Sequence, residues 1–316
     1  MKALITAGGH GTRLRPITHT QNKHLIPIAN KLMLQFALEF AQDAGIIDVG
    51  IVINRNDKSI KNAFGDGKDL GLQLTYIPQA APLGLAHVVK ISESFIGDDT
   101  FVFYLGDNIL VGGIRKFIDD FEKNSSNCHL VLSKVTNPNR FGVAEVVDDR
   151  IVSIEEKPDN PKSDLAVTGI YLYDKNIFEA VNNIKPSPRG ELEISDAHQY
   201  LLDKGFGVSY SEITGWWKDT GKPSDLLEAN RLVLDNIKSD LKGSVDENST
   251  VSGRVQIGAN SRVINSNIRG PAVIGDNTTI EESYVGPYSA IGKGCTISGS
   301  EVEYSIIMDG CQINQV

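Results

Sequence analysis

The stretch VSGRVQIGANSRVINSNI, Val251–Ile268, opens a repeat that decides the architecture of the C-terminal part of the chain. Apolar β-branched residues recur there in steps of six, six and five, which gives a period of 17 residues. They are Val251, Ile257, Val263, Ile268, Ile274, Ile280, Val285, Ile291, Ile297 and Val302. An apolar residue at every sixth position, followed by Gly or a small residue, is typical of a parallel β-helix. Each coil then has three short sides, one of which is a residue short.

Two further columns share the 17-residue period. One consists of Gly258, Gly275 and Gly292, and the other of Ser266, Ser283 and Ser300. A single coil cannot bury its inner face without neighbours. The chain supplies three complete coils and 15 residues of a fourth. We therefore expect residues 242–316 to form a hexapeptide-repeat domain that is incomplete.

Residues 1–241 have a different texture, in which short β-rich runs alternate with helical patterns. The runs KALITA (2–7), VGIVIN (49–54), LQLTYI (72–77) and TFVFYLG (100–106) are typical of buried strands. Helical patterns cover 32–45, 84–97 and, beginning near a proline, 222–241. This alternation predicts an α/β domain with a mostly parallel sheet covered on both faces. More alternating runs after residue 128 predict antiparallel strands, and hence a mixed sheet.

Bulk properties exclude several classes of protein. The chain has 316 residues and a net charge of −9, which argues against a protein that binds nucleic acid. No apolar run approaches 18 residues and no signal-peptide pattern opens the chain, so we expect no membrane association and a cytoplasmic location. The three cysteines form no C-x-x-C pair, which favours reduced thiols, and the six histidines lack zinc-site spacing.

The glycine-rich loop AGGHGTRLRP (7–16) follows the first strand and is typical of a phosphate-binding loop. It lacks the Lys-Ser/Thr of a P-loop, and Leu14 stands where a dinucleotide-binding fingerprint has its third glycine. The pattern disfavours an ATPase and an oxidoreductase. Two cations, Arg13 and Lys23, flank the loop instead. Such cations suit a triphosphate whose pyrophosphate leaves.

The segment AGGHGTRLRPITHTQNKHLIPIANK (7–31) resembles the signature of sugar-1-phosphate nucleotidylyltransferases. Within them it is most similar to the long form of glucose-1-phosphate thymidylyltransferases, which ends in a left-handed β-helix. Further motifs in the same order extend the resemblance over nearly the whole chain: PLGLAHVV (82–89), YLGDNI (104–109), FGVAEV (141–146), EEKP (155–158), LAVTGIY (165–171), RGELEISDA (189–197) and GWWKDTGKPSDLLEANR (215–231). It implies a Rossmann-like nucleotidyltransferase domain over 1–241 and a left-handed β-helix over 242–316.

The resemblance also implies a nucleotide site. Gly8, Gly9, Gly11, Thr12 and Arg13 would wrap the phosphates, Gln79 would read the base, and Pro82 and Gly84 would lie along it. Asp107 would bind on the nucleotide side and, with Asp219, would hold Mg²⁺, since hard oxygen ligands suit that ion. Arg13 and Lys23 would neutralise the leaving pyrophosphate.

The sugar phosphate would meet a second set of residues, namely Gly142, Glu156, Lys157, Glu191 and Trp217. The two glutamates would accept sugar hydroxyls, and Lys157 would hold the phosphate. The implied reaction is an in-line attack of glucose 1-phosphate on the α-phosphate of dTTP, giving dTDP-glucose and pyrophosphate. No general base is needed, because the nucleophile is already ionised.

Alternatives remain open at this point. A glutamine at position 79 suits thymine and uracil alike, so UTP and other sugar phosphates stay possible substrates. A bifunctional nucleotidyl- and acyltransferase is a second alternative, although 242–316 contains no histidine. A non-catalytic regulatory relative is a third, although Arg13, Lys23, Asp107 and Asp219 are all of the expected type. We also expect a homo-oligomer. His10 stands where relatives more often carry Ser, Lys or Asn, and we expect it to face solvent.

Overall fold

A computed structural model describes residues 1–9 and 11–316, so the predicted exposure of His10 lies outside the described residues. The chain forms two compact units whose segments interleave along the sequence. The first unit comprises 1–11, 22–24 and 34–219. The second comprises 12–21, 25–33 and 220–316. The domain boundary between residues 241 and 242 remains a proposal.

Strands and helices are numbered in chain order. The strands before residue 240 are β1 (Lys2–Thr6), β2 (Pro27–Ile28), β3 (Lys31–Leu32), β4 (Asp48–Asn54), β5 (Gln73–Gln79), β6 (Phe101–Leu105), β7 (Asn108–Leu110), β8 (Cys128–Lys134), β9 (Gly142–Val147), β10 (Arg150–Glu156), β11 (Leu165–Tyr173), β12 (Val208–Glu212) and β13 (Trp217–Asp219). The later strands are β14 (Asp240–Leu241), β15 (Ser244–Val245), β16 (Thr250–Ser252), β17 (Val255–Ile257), β18 (Arg262–Ile264), β19 (Asn267–Arg269), β20 (Ala272–Ile274), β21 (Thr279–Glu281), β22 (Tyr284–Val285), β23 (Ser289–Ile291), β24 (Thr296–Ser298), β25 (Glu301–Val302), β26 (Ile306–Ile307) and β27 (Gln312–Asn314). The α-helices are α1 (Met33–Asp43), α2 (Ser59–Phe64), α3 (Leu85–Ile91), α4 (Glu93–Ile96), α5 (Arg115–Asn124), α6 (Ile177–Asn183), α7 (Ile194–Asp203) and α8 (Pro223–Leu234).

A nine-stranded mixed sheet is the centre of the first unit. Its main path runs β10-β9-β11-β6-β1-β4-β5; β8 pairs with β11, and β12 pairs with β8. The strands predicted to be parallel are parallel: β1 pairs with β4 and β6, and β4 pairs with β5. The later strands β8 to β11 pair antiparallel, as their alternation predicted. The predicted mixed α/β fold is therefore confirmed. Since β1, β4 and β6 run side by side, their carboxyl ends lie at the same edge.

The second unit contains a parallel β-helix. Its coils build three parallel sheets, β14-β17-β20-β23-β26, β15-β18-β21-β24-β27 and β16-β19-β22-β25. The repeat residues fill the interior: Ile257, Ile274 and Ile291 stack in one column and are at most 2% exposed. Three sheets in this arrangement are consistent with the predicted left-handed β-helix. The fourth coil is one residue shorter, because Ile291 pairs with Ile307, 16 positions on.

The two polar columns have separate physical causes. A Cβ on Gly258, Gly275 or Gly292 would come within 2.6 Å of a backbone atom of the next coil, so these corners exclude any side chain. The serine column forms a ladder of hydrogen bonds between coils. The backbone amide of Ser283 donates to Ser266 Oγ over 3.0 Å, and that of Ser300 donates to Ser283 Oγ over 3.1 Å. The ladder satisfies polar groups that would otherwise be buried without partners.

Two predicted helices are shorter in the structure. The pattern over 84–97 folds into α3 and α4, which meet at Ser92. The pattern over 222–241 predicted a helix seven residues too long, since α8 ends at Leu234. The reason is that Asp240–Leu241 pairs with Gln256–Ile257 as the first strand of the β-helix. The three cysteines are free, and no helix within the described residues has the length and apolarity needed to cross a membrane.

A buried histidine in the first unit gives a testable dependence of stability on pH. Burial lowers the pKa of His198 to about 3, and its Nε2 lies 2.5 Å from the hydroxyl of Tyr173. Below pH 6.5 His198 is protonated in the unfolded chain but stays neutral in the folded chain. The free energy of unfolding should therefore fall, by about 1.4 kcal/mol per pH unit from this group. Urea unfolding between pH 6.5 and 5 gives the dependence of the free energy of unfolding on pH. In His198→Gln this dependence should be weaker than in the wild-type protein, by the equivalent of about one bound proton. The same dependence in both proteins would contradict the prediction.

Candidate active site

A pocket of about 270 Å³ opens in the first unit at the carboxyl edge of the parallel strands. It brings together ten residues that the sequence assigned to the nucleotide or to the sugar phosphate: Gly8, Gly9, Lys23, Gln79, Pro82, Gly84, Asp107, Glu156, Lys157 and Glu191. Residues from six separate stretches of sequence thus meet at one surface. Members of both predicted sets therefore line the same pocket, whereas Gly11, Thr12, Arg13, Gly142, Trp217 and Asp219 are not among its lining residues.

A buried ion pair between Lys23 and Asp107 lies at the floor of this pocket. The Lys23 ammonium contacts the Asp107 carboxylate directly, and the two side chains are only 10% and 15% exposed. Burial alone would raise the pKa of the Asp107 carboxyl, but the charge of Lys23 and the hydrogen bonds from Lys23 and Asn108 hold that pKa well below its usual range. Asp107 is therefore ionised at neutral pH.

The segment that carries Lys23 is fixed by its two neighbours. Asn22 donates to Asp57 Oδ2 over 2.7 Å and to the carbonyl of Ala7 over 3.3 Å. His24 donates from Nδ1 to Asn22 Oδ1 over 2.9 Å, because that oxygen can only accept. Burial, together with the adjacent Lys23 charge, lowers the pKa of His24 to about 3, so its ring is neutral at pH 7.

Asp219 comes next to Asp107 through a two-stranded sheet. Strand β13 pairs antiparallel with β7, and the register sets Asp219 opposite Asn108. Asp219 is thereby paired with the residue that directly follows Asp107, although the two aspartates are 112 positions apart in sequence. Asn108 also accepts a hydrogen bond from Trp217 Nε1 over 2.6 Å, which fixes the opposite end of the same short strand.

Gln79 ends strand β5 and lines the pocket with a side chain that is almost fully buried. The turn that follows is held by Gly84, whose φ of 98° lies in the region that favours glycine. A Cβ on Gly84 would lie 2.3 Å from the carbonyl oxygen of Leu192, so any side chain there would displace the backbone of the facing loop.

A group of charged residues forms the other wall. Lys157 Nζ lies 2.9 Å from Glu156 Oε1. Arg189 Nη2 lies 2.8 Å from Glu193 Oε1, 3.4 Å from Glu156 Oε1 and 3.9 Å from Glu191 Oε2. Lys157 has a φ of 44°, a backbone conformation that L-residues other than glycine seldom adopt. This wall offers two cations for a phosphate and several carboxylates for hydroxyl groups.

Gly142 and Trp217 lie beside the charged wall. A Cβ on Gly142 would come within 2.5 Å of Ser195 Oγ, which donates to Glu156 Oε2 over 2.7 Å. The ring of Trp217 meets Phe141 edge to face at 5.7 Å. Gly142 therefore adjoins the charged wall at Ser195, whereas Trp217 packs on Phe141, the residue before Gly142.

Gly142→Ala should therefore weaken sugar-phosphate binding, because the added methyl would displace Ser195 and break its bond to Glu156. We expect KM for the sugar phosphate to rise about tenfold. Ser195→Ala removes the same hydrogen bond without adding a methyl to Gly142 and should shift KM in the same direction. An unchanged KM in both variants would show that this bond does not shape the site.

Three predicted nucleotide residues, Gly11, Thr12 and Arg13, stand where the chain passes between the units. Gly11 has a φ of 59° and ends the first stretch of the first unit. Thr12–Leu14 form a 3₁₀ turn in the second unit. A Cβ on Gly221 would lie 2.9 Å from Arg13 Nη1, which places that guanidinium against the backbone preceding α8. Its role toward a nucleotide stays a prediction.

The sequence reasoning missed Arg189 and His24. Arg189 stood inside a quoted motif, but nothing in its local pattern sets it apart from an exposed cation. Only the contact with three glutamates from two stretches of chain reveals it. His24 lay next to Lys23, and its buried, neutral state depends on tertiary packing that sequence spacing does not contain.

Comparison with known proteins agrees with this geometry. Residues 2–236 match the nucleotidyl transferase family model. A Streptomyces griseus protein named glucose-1-phosphate thymidylyltransferase is 50% identical over 317 residues, covering 100% of this chain and 89% of the relative. The chain belongs to the nucleotidyl transferase family. A solved structure of a candidate glucose-1-phosphate thymidylyltransferase from Bacillus anthracis is 39% identical, with a TM-score of 0.71 over 76% of this chain and 97% of that one. The predicted resemblance and enzymatic class are confirmed: the protein is a nucleotidyltransferase.

The residues of this nucleotidyltransferase suit a divalent metal that is shared with a substrate. Among residues 1–9 and 11–316, no group of three or more His, Cys, Asp or Glu side chains could hold a metal ion alone. Mg²⁺ is commonly bound by one or two carboxylates, with substrate phosphates and water completing its ligands. Asp107, which directly precedes β7, and Asp219, which lies on β13 opposite Asn108, supply two carboxylates of that kind.

Proposed function

We propose that the protein transfers a thymidylyl group from dTTP to glucose 1-phosphate and releases dTDP-glucose and pyrophosphate. One observation carries the proposal: the same pocket is lined by Gly8, Gly9 and Gln79, which the resemblance assigns to the nucleotide, and by three residues assigned to the sugar phosphate, namely Glu156, Lys157 and Glu191. Two substrates bound to these two sets of residues would meet between them. The names of the relatives support the choice of dTTP and glucose 1-phosphate.

The reaction needs alignment and charge neutralisation more than proton transfer. A sugar-phosphate oxygen is already ionised at neutral pH and can attack the α-phosphorus directly. Among the described residues that line the pocket there is one histidine, His24. Its ring is neutral, and its Nδ1–H donates a hydrogen bond to Asn22. Its pKa of about 3 makes it a weak base that would not take up a proton readily at neutral pH. Lys157 and Arg189 would hold the nucleophilic phosphate in line with the α-phosphorus.

Asp107 and Asp219 would hold Mg²⁺. When bound, the ion would neutralise phosphate charge and fix the geometry of the triphosphate. Lys23 keeps Asp107 ionised and places a second positive charge at the pocket floor. We further propose that Lys23 and Arg13 stabilise the departing pyrophosphate, since preorganised cations act most strongly where charge develops.

UTP is the second candidate nucleotide, and one observation favours it. Gln79 presents one amide, and thymine and uracil offer identical hydrogen-bonding edges to it. The thymine methyl is worth only about 1–3 kcal/mol in an apolar pocket. Choice between the two bases therefore depends on contacts other than that of Gln79.

The decisive experiment incubates the protein with Mg²⁺, a nucleoside triphosphate and a sugar 1-phosphate, and detects released pyrophosphate. A panel of dTTP, UTP, dCTP and ATP against glucose, galactose and N-acetylglucosamine 1-phosphates gives kcat/KM for each pair. We expect dTTP with glucose 1-phosphate to rank first. A higher value for UTP or for another sugar would correct the specificity, and no turnover with any pair would overturn the proposal.

A further inference from the structure

The side-chain amide of Gln79, the residue assigned to the base, contacts the ring of His87. We propose that His87 is a positioning residue that fixes the orientation of the Gln79 side chain, and that it thereby selects pyrimidines with a proton on N3. The inference rests on the proposed function, in which Gln79 reads the base. It goes further because it explains how one amide can discriminate between bases at all.

The geometry comes from two neighbouring elements of the first unit. Gln79 is the last residue of β5, and His87 lies in α3, which begins six residues later. Gln79 Nε2 lies 3.1 Å from His87 Nδ1. Gln79 lines the pocket, whereas His87 is not among the described residues that line it. We therefore expect His87 to act on a base through Gln79.

This contact has one consistent protonation pattern. The amide nitrogen of Gln79 can only donate, so Nδ1 of His87 must accept and its ring proton must be on Nε2. A protonated imidazole would present donors at both nitrogens and could not accept. Burial, and to a smaller degree the charge of Lys90, lower the pKa of His87, which favours the neutral ring.

The contact leaves Gln79 with a fixed pair of groups for a base. Its Oε1 remains an acceptor, and the second N–H of Nε2 remains a donor. Thymine and uracil present N3–H beside a carbonyl oxygen, which is the complementary pair. Cytosine presents an unprotonated N3 beside an amino group, so Oε1 would face the N3 lone pair unless the amide turned over. Turning it would set Oε1 against Nδ1 of His87, so the ring proton would have to move from Nε2 to Nδ1.

The test compares three substitutions that differ in hydrogen-bonding capacity. His87→Phe offers neither donor nor acceptor, so the Gln79 amide is free to turn. His87→Glu offers an acceptor only and should keep the original orientation. His87→Lys offers a donor only and should favour the reversed one. Lys90→Gln removes the neighbouring charge on the same helix without touching Gln79 and serves as the matched control.

For each protein, kcat/KM and the dissociation constant are measured for dTTP and dCTP, with glucose 1-phosphate saturating in the kinetic runs. We expect the dTTP preference over dCTP to fall about tenfold or more in His87→Phe, to fall further in His87→Lys, and to be largely retained in His87→Glu and Lys90→Gln. KM for glucose 1-phosphate should not change. Thermal unfolding identifies any variant that has lost its fold. Such a variant is left out, and the other substitutions then decide the outcome.

A second measurement does not depend on turnover. The ¹⁵N chemical shifts of the His87 ring in the wild-type protein should identify Nδ1 as the unprotonated nitrogen. A proton on Nδ1, or an unchanged dTTP preference in His87→Phe, would overturn the inference. Should the protein transfer no nucleotide at all, the proposed function fails, and the ring tautomer with the two dissociation constants still decides the role of His87.

Discussion

Asp107→Asn should lower kcat by about 10²–10³, the range seen when one preorganised electrostatic group is removed from an active site. The variant loses the carboxylate charge that we propose holds Mg²⁺, and it loses the ionic partner of Lys23. Because Lys23 is nearly buried, its ammonium would be left with only the neutral Asn oxygen, and some stability should be lost as well. The loss of rate is therefore measured at a temperature well below the Tm of the variant.

Asp219→Asn separates the two effects. It should also reduce kcat strongly, and it should raise the Mg²⁺ concentration that gives half-maximal rate, while leaving the ion pair of Lys23 and Asp107 in place. Asp98→Asn is the matched control, because Asp98 is an exposed carboxylate whose partner is Lys175 at the surface. Full activity of Asp219→Asn at low Mg²⁺ would refute the metal assignment.

Lys157→Asn should lower kcat/KM for the sugar phosphate by about 10²–10³ without destabilising the fold. The substitution removes the ammonium that we propose holds the nucleophilic phosphate. Asparagine adopts positive φ more readily than lysine does, so the left-handed backbone at this position is relieved. An active site that stores strain in this way gains stability when the functional side chain is replaced.

Urea unfolding and steady-state kinetics of the same preparation test both halves of that expectation. Lys157→Arg retains the charge and should recover part of the rate. Lys162→Asn removes a comparable cation, exposed and paired with Glu145, and should leave kcat/KM unchanged. Equal rate losses at 157 and 162 would mean that general surface charge, and not contact with the phosphate, governs the reaction.

The fold was largely predictable from sequence because its signals are periodic. The 17-residue repeat specifies the inner columns of the β-helix, and the glycine column follows from the close approach of successive coils. The end of α8 was not predictable in the same way. Helical periodicity continues past Leu234, and only pairing of Asp240–Leu241 with the next coil decides otherwise.

The residues of the candidate site could be predicted only where the resemblance to a known family assigned them. Motif order placed Asp107 and Asp219 in one site, and the register of β7 with β13 supplies the physical link that spacing alone lacked. Arg189 and His87 were not predicted, because the role of each depends on contact with a residue from another part of the chain. A side chain that acts through tertiary contact leaves no mark in local sequence.

The interleaving of the two units bears on how such proteins could be recombined in evolution or by design. Residues 25–33 belong with the β-helix: the amide of Ala29 donates to Asn230 Oδ1 over 2.8 Å, and Asn30 Nδ2 donates to the carbonyl of Ile291 over 2.6 Å. Lys23 is carried by a three-residue stretch flanked on both sides by segments of that second unit. If the β-helix were exchanged by a single cut in the gene, residues 12–21 and 25–33 would stay behind and lose their partners in 220–316. A successful graft has to carry three pieces of sequence together.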